Sequence, residues 1–586
     1  MENRVHDVVV MGGGQAGLSL TLQLKQRDPD IDILVVERSE HPPPSAAHKV
    51  GESTVEGGAY YFSKILGLKP YLDKEQLRKS GLRYYFSDGR NTDLARRVEL
   101  GNSRQLPFAT YQLDRGTFEA KLGSLVSEAG AEFLDKAVVR DVTLGEGDDP
   151  HRIQIKRDGV ESEVQARWVV DATGRFQFLK RKLDLAKQVD HKMNASWFRL
   201  PAKVVVTDWS DDPDWQNRVG KFVLSDGTPA QLRSLSTVHL VGHGWWLWLI
   251  PLAGDVTSVG IVVDDRVFPI SEINSLEKSM AWIEEHEPQA YEAIAPHIDD
   301  VLDFKFLRHY SHSCERILSP ERWCITGVAG AFHDPLFSVG ADIICWNNTI
   351  ITDVIARDHA GEDIGSRVQL YNSIFLDQYV GPMYALFEDT YLYMGNPQVF
   401  SVWVHWSTCW YWSILASIIT HDKITDLETL STLHDEVKRS IDLWHVMQKF
   451  FTEWWEAAGD DYSHTDHFIP LFNQPWINRL QADLLADWDS EEFTQKLREN
   501  LENLEAAVAY VFWMAVEGLP DPPERRPIDP YKITMDRDRW EADGLFDTDG
   551  VTPSNPVDLD AEFGGYGWFS RDRAGAAEEA ALSQSS

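Results

Sequence analysis

Positive charge and cysteine are both scarce in this chain. Against 92 Asp and Glu it carries only 56 Lys and Arg, a formal charge of -36. Such a field repels phosphate backbones and anionic lipid, so neither nucleic acid nor a membrane is expected as a partner. The four cysteines, Cys314, Cys324, Cys345 and Cys409, show neither a metal-ligand spacing nor the density of a disulfide scaffold. Free thiols in a reducing cytoplasm are expected, and no metal centre. The first apolar stretch, Val8 to Met11, runs into glycine and is too brief for the core of an export signal. Between Asp389 and Asp422 there is no Asp, Glu, Lys or Arg, which raises a membrane span as an option. Gly395-Asn396-Pro397 breaks that run, and Gln398, His405, Ser407 and Thr408 make it too polar, so a buried helix is expected instead.

What is present is ordinary in bulk. The hydrophobic fraction is 43% and the charged fraction 25%, enough apolar surface for a packed core and too much for a disordered chain. At 586 residues the chain is several times the ~150-residue domain prior, so a single small module is excluded. The 22 tryptophans are the one excess, and they imply aromatic packing or an aromatic pocket.

Asp7 to Met11 reads as a buried strand, Gln15 to Gln26 as a helix and Ile31 to Glu37 as a second strand, a βαβ unit that starts a parallel sheet. Strands are also expected at Ala137 to Val142, Ile153 to Lys156 and Trp168 to Val170, with a helix over Thr117 to Ala129. From Trp197 to Val263, β-branched and aromatic runs at Lys203 to Val206, Val238 to Val241, Trp245 to Ile250 and Ser258 to Val263 predict a second, antiparallel sheet. A strand at Trp323 to Thr326 precedes a helix starting near Gly340. Apolar residues at helical spacing mark Arg367 to Gly518 as helical, and Asp521 to Ser586, with Asp521-Pro522-Pro523-Glu524 and Ser554-Asn555-Pro556, reads as a covering arm or a loose tail. No internal repeat is evident.

Gly12-Gly13-Gly14-Gln15-Ala16-Gly17 fits GxGxxG directly after a strand and at the opening of a helix. Gly12 permits the tight turn, Gly14 lets the backbone approach a pyrophosphate, Gly17 packs helix on strand, and the helix N-terminus faces the anion. Glu37, twenty residues past Gly17 and followed by Arg38, ends the second strand where a carboxylate accepts hydrogen bonds from ribose hydroxyls. FAD and NAD share this fingerprint. Val169-Val170-Asp171-Ala172-Thr173-Gly174-Arg175, a strand ending in a tight turn, resembles the segment found beneath FAD in two-dinucleotide-domain flavoproteins, and no second GxGxxG offers a nicotinamide site.

With these segments in place the sequence resembles the flavin-dependent halogenases, a branch of the flavin monooxygenase fold. Trp246-Leu247-Trp248-Leu249-Ile250-Pro251 matches their WxWxIP signature, with Trp245 where the leading glycine usually stands. Lys49-Val50-Gly51-Glu52-Ser53-Thr54 resembles the GES/T loop, Lys79-Ser80-Gly81 the segment with the catalytic lysine, Tyr111-Gln112-Leu113-Asp114-Arg115 the stretch whose arginine contacts FAD, and Asp334-Pro335-Leu336-Phe337-Ser338-Val339-Gly340 the DPxxSxG segment beside flavin and halide. The match covers about residues 7 to 360. Two positions depart from the pattern: Gly327-Val328-Ala329 lacks the aspartate of the usual Gly-Asp-Ala, and Phe337 stands where tryptophan-specific members carry glutamate, which points to phenol- or pyrrole-type chemistry.

The resemblance implies an α/β fold: a Rossmann-type FAD-binding halogenase core over 1–365 with an antiparallel subdomain at about 190–320, a helical region at 366–520 and an acidic arm at 521–586. It implies an FADH2-dependent enzyme in which flavin hydroperoxide and chloride or bromide give hypohalous acid, which then halogenates an electron-rich aromatic small molecule in natural-product biosynthesis. O2 and a separate flavin reductase are implied partners. Lys79 is the implied catalytic residue; Trp246, Trp248, Ile250 and Pro251 the partition; Gly12, Gly14, Ala16, Gly17, Glu37, Arg38, Ser53, Arg115, Asp171, Gly327 and Pro335 the cofactor contacts; and Ser338, Val339 and Gly340 the halide turn.

On a strand, Trp246, Trp248 and Ile250 share one face, so two indoles can wall the flavin from the substrate; plain core packing is the alternative. Lys79 needs a dry site, the alternative being a solvated stretch shared with Lys74 and Arg83. His333, His405 and His421 are candidates for a phenol's general base, with simple packing as the competing role. Trp403, Trp406, Trp410 and Trp412 read as core or pocket lining. A free substrate is favoured over a carrier-tethered one, because an acidic carrier would be repelled unless Arg96-Arg97 or Arg525-Arg526 formed a basic patch. Two further readings stay open, a flavin hydroxylase or oxidase that uses no halide and a non-catalytic flavin-binding scaffold.

Overall fold

A computed structural model describes residues 4–45, 49–224, 227–459, 467–472 and 474–548. Strands Glu132–Leu134, Ile33–Val36, Val5–Met11, Val160–Asp171 and Trp323–Ile325 lie side by side and parallel, in that order. Val8 to Met11 are fully buried because the sheet is covered on both faces, Val8 and Val10 facing one core and Val9 and Met11 the other. The hairpin Ala137–Thr143 and His151–Arg157 extends the long strand Val160–Asp171 on one side. Helices Gln15–Arg27 and Arg115–Glu128 cover the sheet, within a residue or two of the expected ends.

The second sheet runs Asp303–Leu307, Met193–Leu200, Val256–Asp264, Trp245–Leu252, Thr237–Gly242, Leu82–Phe86, Glu99–Gly101 and Phe468–Pro470. It is antiparallel at its centre, but Leu82–Phe86 lies parallel to Thr237–Gly242 and Phe468–Pro470 parallel to Glu99–Gly101. The sheet therefore does not stay within 190–320; it takes strands from the early chain and from the helical region. Its central strand separates two cores, with Trp246, Trp248 and Ile250 on one face and Trp245, Leu247 and Leu249 on the other. Gly260 opposite Trp248 makes this possible, since a Cβ there would sit 2.1 Å from the indole.

Lys203 to Val206 is not a strand. Pro201 follows the end of Met193–Leu200, and the three valines are buried in a loop held by Val204 N–H donating to Thr257 Oγ1 at 3.0 Å. The apolar run reflected burial, not pairing.

Helix Gly340–His359 leads into a helical region from Gly365 to Glu517, broken among the described residues only by loops and the strand Phe468–Pro470. Its residues share one continuous core with the parallel sheet. The uncharged run holds helix Pro397–Trp410, buried within this core, and no described helix is long and apolar enough to cross a membrane. Of the closing segment, residues up to 548 pack back as an arm: Trp540 is buried, its indole donates to the Thr534 carbonyl at 2.8 Å, and the Thr534 hydroxyl donates to Glu453 at 2.7 Å. Ser554-Asn555-Pro556 and the rest of the acidic tail lie outside the described residues.

Arg97 ties the early chain to the outer core. Its guanidinium makes a two-pronged pair with Glu287 at 2.7 and 2.9 Å, both side chains about 1% exposed. Removing one partner leaves a buried charge alone, which costs about 3–5 kcal/mol. Arg97→Ala should lose that much stability in urea unfolding, and Glu287→Gln a smaller part of it.

Candidate active site

The glycine turn is a cradle. Gly12 sits at φ +119, where a side chain would strike the Ala172 carbonyl at 2.3 Å, and Gly17 packs so closely that a Cβ would lie 2.1 Å from the Gly12 carbonyl. Gly14 differs: only Lys49 Nζ, at 3.7 Å, would be near a Cβ there. Space is thus open in front of a helix whose first N–H groups have no side-chain cap. Glu37 accepts from Gly13 N–H and Ser39 N–H, both at 2.7 Å, and each oxygen keeps a further lone pair. Arg115 donates to the Val50 carbonyl at 2.7 Å and to Glu119 at 2.6 Å, while its buried Nε has no partner. Gly327, at φ +59, lies against Ala16. An anion-accepting helix end, an open glycine, a ribose-level carboxylate and an unpaired arginine nitrogen fit an FAD.

Other expected cofactor contacts are placed differently. Asp171 is fully buried and its oxygens are taken by Thr173 and Leu179, so it braces the turn under the site; burial raises its carboxyl pKa. Ser53 is turned into the second sheet, its hydroxyl 3.0 Å from that of Thr237. Arg38 is exposed beyond the strand end, and Pro335 serves the chain by accepting from Ser338 N–H at 2.9 Å. That bond removes the Ser338 N–H from any halide. Ser338 is at φ +60, a turn that leaves Val339 and Gly340 heading helix Gly340–His359.

The paired indoles are fixed by hydrogen bonds. Trp246 and Trp248 have ring centres 5.6 Å apart; the Trp246 N–H donates to the Tyr391 hydroxyl at 2.8 Å and the Trp248 N–H to the Ser258 hydroxyl at 3.2 Å. Ser258 in turn donates to Glu52 at 2.8 Å, so the GES loop and the WxWxIP strand are one network. Ile250 and Pro251 continue the buried strand. Tyr391, Tyr310 and His191 each lie 2.7 Å from one oxygen of Asp334, whose other oxygen accepts from Leu336 N–H. Burial would raise the Asp334 carboxyl pKa, but these bonds and the His191 charge bring it below the usual value.

Lys79 is buried on a different strand. It ends the short strand Leu77–Lys79, is 1% exposed, and donates to the Thr54 carbonyl at 2.9 Å. Arg83 is buried as well, so the solvated stretch is ruled out; only Lys74 of the three is exposed. Desolvation lowers the Lys79 pKa to about 7, against the opposing pull of Glu56 and Asp342. Lys79 lines a cavity together with Glu56, Phe337, Trp410, Tyr411, Trp412 and Phe472 among others. Phe337 stacks on Trp403 at 5.1 Å, which makes this side of the cavity apolar. Of the tryptophan block, Trp410 and Trp412 line the cavity, while Trp403 and Trp406 are core.

The three histidines do not reach it. His333 is bound to the Val380 carbonyl, His405 to that of Ser401 and His421 to that of Ser417, and desolvation lowers the first two to about 4.

A family model described as "Lycopene cyclase protein" matches residues 7–222, the stretch with the glycine turn. The flavin-dependent halogenase chlA of Dictyostelium discoideum is 27% identical over 442 residues, 70% of each chain. A 1H-pyrrole-2-carbonyl peptidyl-carrier-protein brominase of Pseudoalteromonas luteoviolacea is 23% identical, covering 62% of this chain and 80% of its own. Among solved structures, halogenase PltM in complex with phloroglucinol and FAD superposes with a TM-score of 0.59 at 15% identity, over 86% of this chain and 96% of that one, and shares the fold. The chain is thus similar to flavin-dependent halogenases, over 70% of its length in the first of these.

Sequence reasoning missed the acidic side of this cavity. Glu56 and Asp342 reach Lys79 only because Gly57 and Gly58 let helix Gly340–His359 come close: a Cβ on Gly58 would lie 2.4 Å from that of Ala341. The signal was present as a glycine pair after an acid, but its meaning needs the fold. For the cradle, Gly14→Val should cost only about 1 kcal/mol of stability, as a lost glycine cap does, yet weaken FAD binding at least tenfold by flavin fluorescence titration, an expectation of roughly 1.4 kcal/mol or more. Gly12→Ala, by contrast, should compromise folding itself.

Proposed function

We propose that this halogenase receives reduced FAD from a separate reductase and transfers chlorine or bromine to a free, electron-rich aromatic molecule, phenolic or pyrrolic, in natural-product biosynthesis. The observation that supports this most is a desolvated lysine in an aromatic-lined cavity. When bound, reduced FAD with O2 supplies the oxidising power that turns halide into hypohalous acid. The helix end at Gly12, Gly14, Ala16 and Gly17 would hold the pyrophosphate, Glu37 would meet the adenosine ribose, and Arg115 and Gly327 would flank the rest. Val339 and Gly340 offer N–H groups to the halide. Trp246 and Trp248 keep the organic substrate off the flavin, and Ile250 and Pro251 complete the wall.

With its pKa near 7, the Lys79 amine is available both as a hydrogen-bond donor to hypohalous acid and as a nucleophile toward its halogen. In the second case an N–halogen bond forms, the O–halogen bond breaks, and the amine proton leaves with hydroxide as water.

A free substrate is supported by the state of the basic pairs. Arg97 is buried against Glu287, and Arg525 and Arg526 are paired with Glu517 and Glu541, so neither pair leaves a positive patch for an acidic carrier. The four cysteines are buried and free, which suits a reducing cytoplasm. For domain organisation we keep the divisions near 365 and 520, with the second sheet borrowing strands across them.

Incubation with a flavin reductase, NADH, FAD and halide over phenols and pyrroles should give products with the halogen isotope pattern in mass spectra. Lys79→Ala should lower product formation at least a thousandfold while FAD binding and peroxide release persist. Near wild-type product from that variant, or oxygenated product independent of halide, sinks the proposal.

A further inference from the structure

Four polar groups meet around the inner end of the cavity, and Asp342 and Tyr411 are engaged with the protein's own groups. Asp342 accepts from Gly58 N–H at 2.7 Å on one oxygen and from the Tyr411 hydroxyl on the other, and it does not line the cavity. The Tyr411 hydroxyl donates to Asp342 and accepts from Gly57 N–H at 3.1 Å, which uses its proton and a lone pair. Lys79 gives one of three protons to the Thr54 carbonyl and keeps two. Glu56 is different. It heads the short helix Glu56–Tyr60, is 7% exposed, lines the cavity beside Lys79, and has the Trp412 indole as its side-chain donor. An ionised carboxylate has about four acceptor sites, so the Trp412 indole and the backbone N–H of Glu56 itself leave acceptor capacity for a ligand.

The rest of the lining is nearly all apolar, with Leu106, Phe337, Leu386, Val404 and Phe472 around the three aromatic rings of residues 410–412. A flat ring fits there, and Glu56 is the one carboxylate in the lining that a hydroxyl on it can meet. We propose that Glu56 is the catalytic base of this site, and that the substrate is a hydroxyaromatic whose O–H points at Glu56 while the ring carbon beside it faces Lys79. This rests on the reading that Lys79 delivers the halogen.

The step balances. The phenolic O–H bond breaks and its proton joins the Glu56 carboxylate; the electron pair released into the ring forms the carbon–halogen bond, and the halogen leaves the oxygen of hypohalous acid or the nitrogen of Lys79. Loss of the ring C–H proton restores aromaticity, and water is the other product. The titratable groups facing Glu56 are Lys79, Asp342 and Tyr411. Burial raises the Glu56 carboxyl and takes Asp342 to about 7, so a proton arriving at this pair is held rather than expelled at once.

The test compares a phenol with its O-methyl ether, which has no proton to give. With reductase, FAD and bromide supplied, Glu56→Gln should lower kcat/KM for the phenol about 100-fold and for the ether far less, collapsing the preference between them. Glu56→Asp keeps a carboxylate and should recover part of the phenol rate, which a merely structural role would not give. Unchanged melting temperature and FAD affinity check the fold. Equal losses on both substrates, or no loss on the phenol, overturn the assignment. If the wild type halogenates neither, the halogenase reading falls and this inference with it, a result distinct from a silent Glu56 variant in an active enzyme.

Discussion

The desolvation of a single ammonium group is the constraint around which this cavity is built. A lysine with 1% of its surface exposed cannot hold its charge for free, and the protein answers with one carbonyl hydrogen bond and two buried carboxylates, not with water. Each answer makes a further demand. The carboxylates come from residues 56 and 342, so two helices must touch, and they touch only where Gly57 and Gly58 carry no side chains. Asp342 then needs a donor, which the helical region supplies as Tyr411. The amine, its acids and their donor come from four separate stretches of chain, and none of them makes the site alone.

The indole wall obeys a similar logic. Both tryptophans are buried, and a buried N–H without a partner is costly, so each indole plane is set by the acceptor it reaches. Trp248 reaches Ser258 and through it Glu52, which Arg199 holds at 2.6 Å. Trp246 reaches Tyr391 and through it Asp334, the first residue of the DPxxSxG segment. Motifs far apart in sequence are thus two ends of two hydrogen-bond chains, one anchoring each ring.

Period-two and helical spacing made the two sheets and most helix ends legible, because burial on one or both faces leaves a pattern in the chain itself. Val8 to Met11 and Trp246 to Ile250 are such cases. Lys203 to Val206 failed because burial without pairing leaves the same mark as a strand. Asp171 and Ser53 were assigned to the cofactor from their motif positions, but hydrogen bonds to Thr173, Leu179 and Thr237 direct them into the scaffold. Glu56 was invisible for another reason: a lone acid before two glycines looks like surface or turn, and only the approach of a helix nearly three hundred residues later makes it part of a reaction site.

That distance also says where selectivity resides. The groups proposed to hold the dinucleotide and the halide lie before residue 345, whereas Tyr411, Trp410, Trp412 and Phe472, which shape the cavity around Lys79, come from the helical region. Tyr391, which sets the plane of Trp246, comes from there too. The helical region is therefore both the wall of the substrate cavity and the clamp on the partition, and it shares one continuous core with the parallel sheet. On the proposed function, a change in substrate would come from repacking those helices, within the limit that Tyr391 and Tyr411 keep their hydroxyls, since each is the partner of a buried group on the other side.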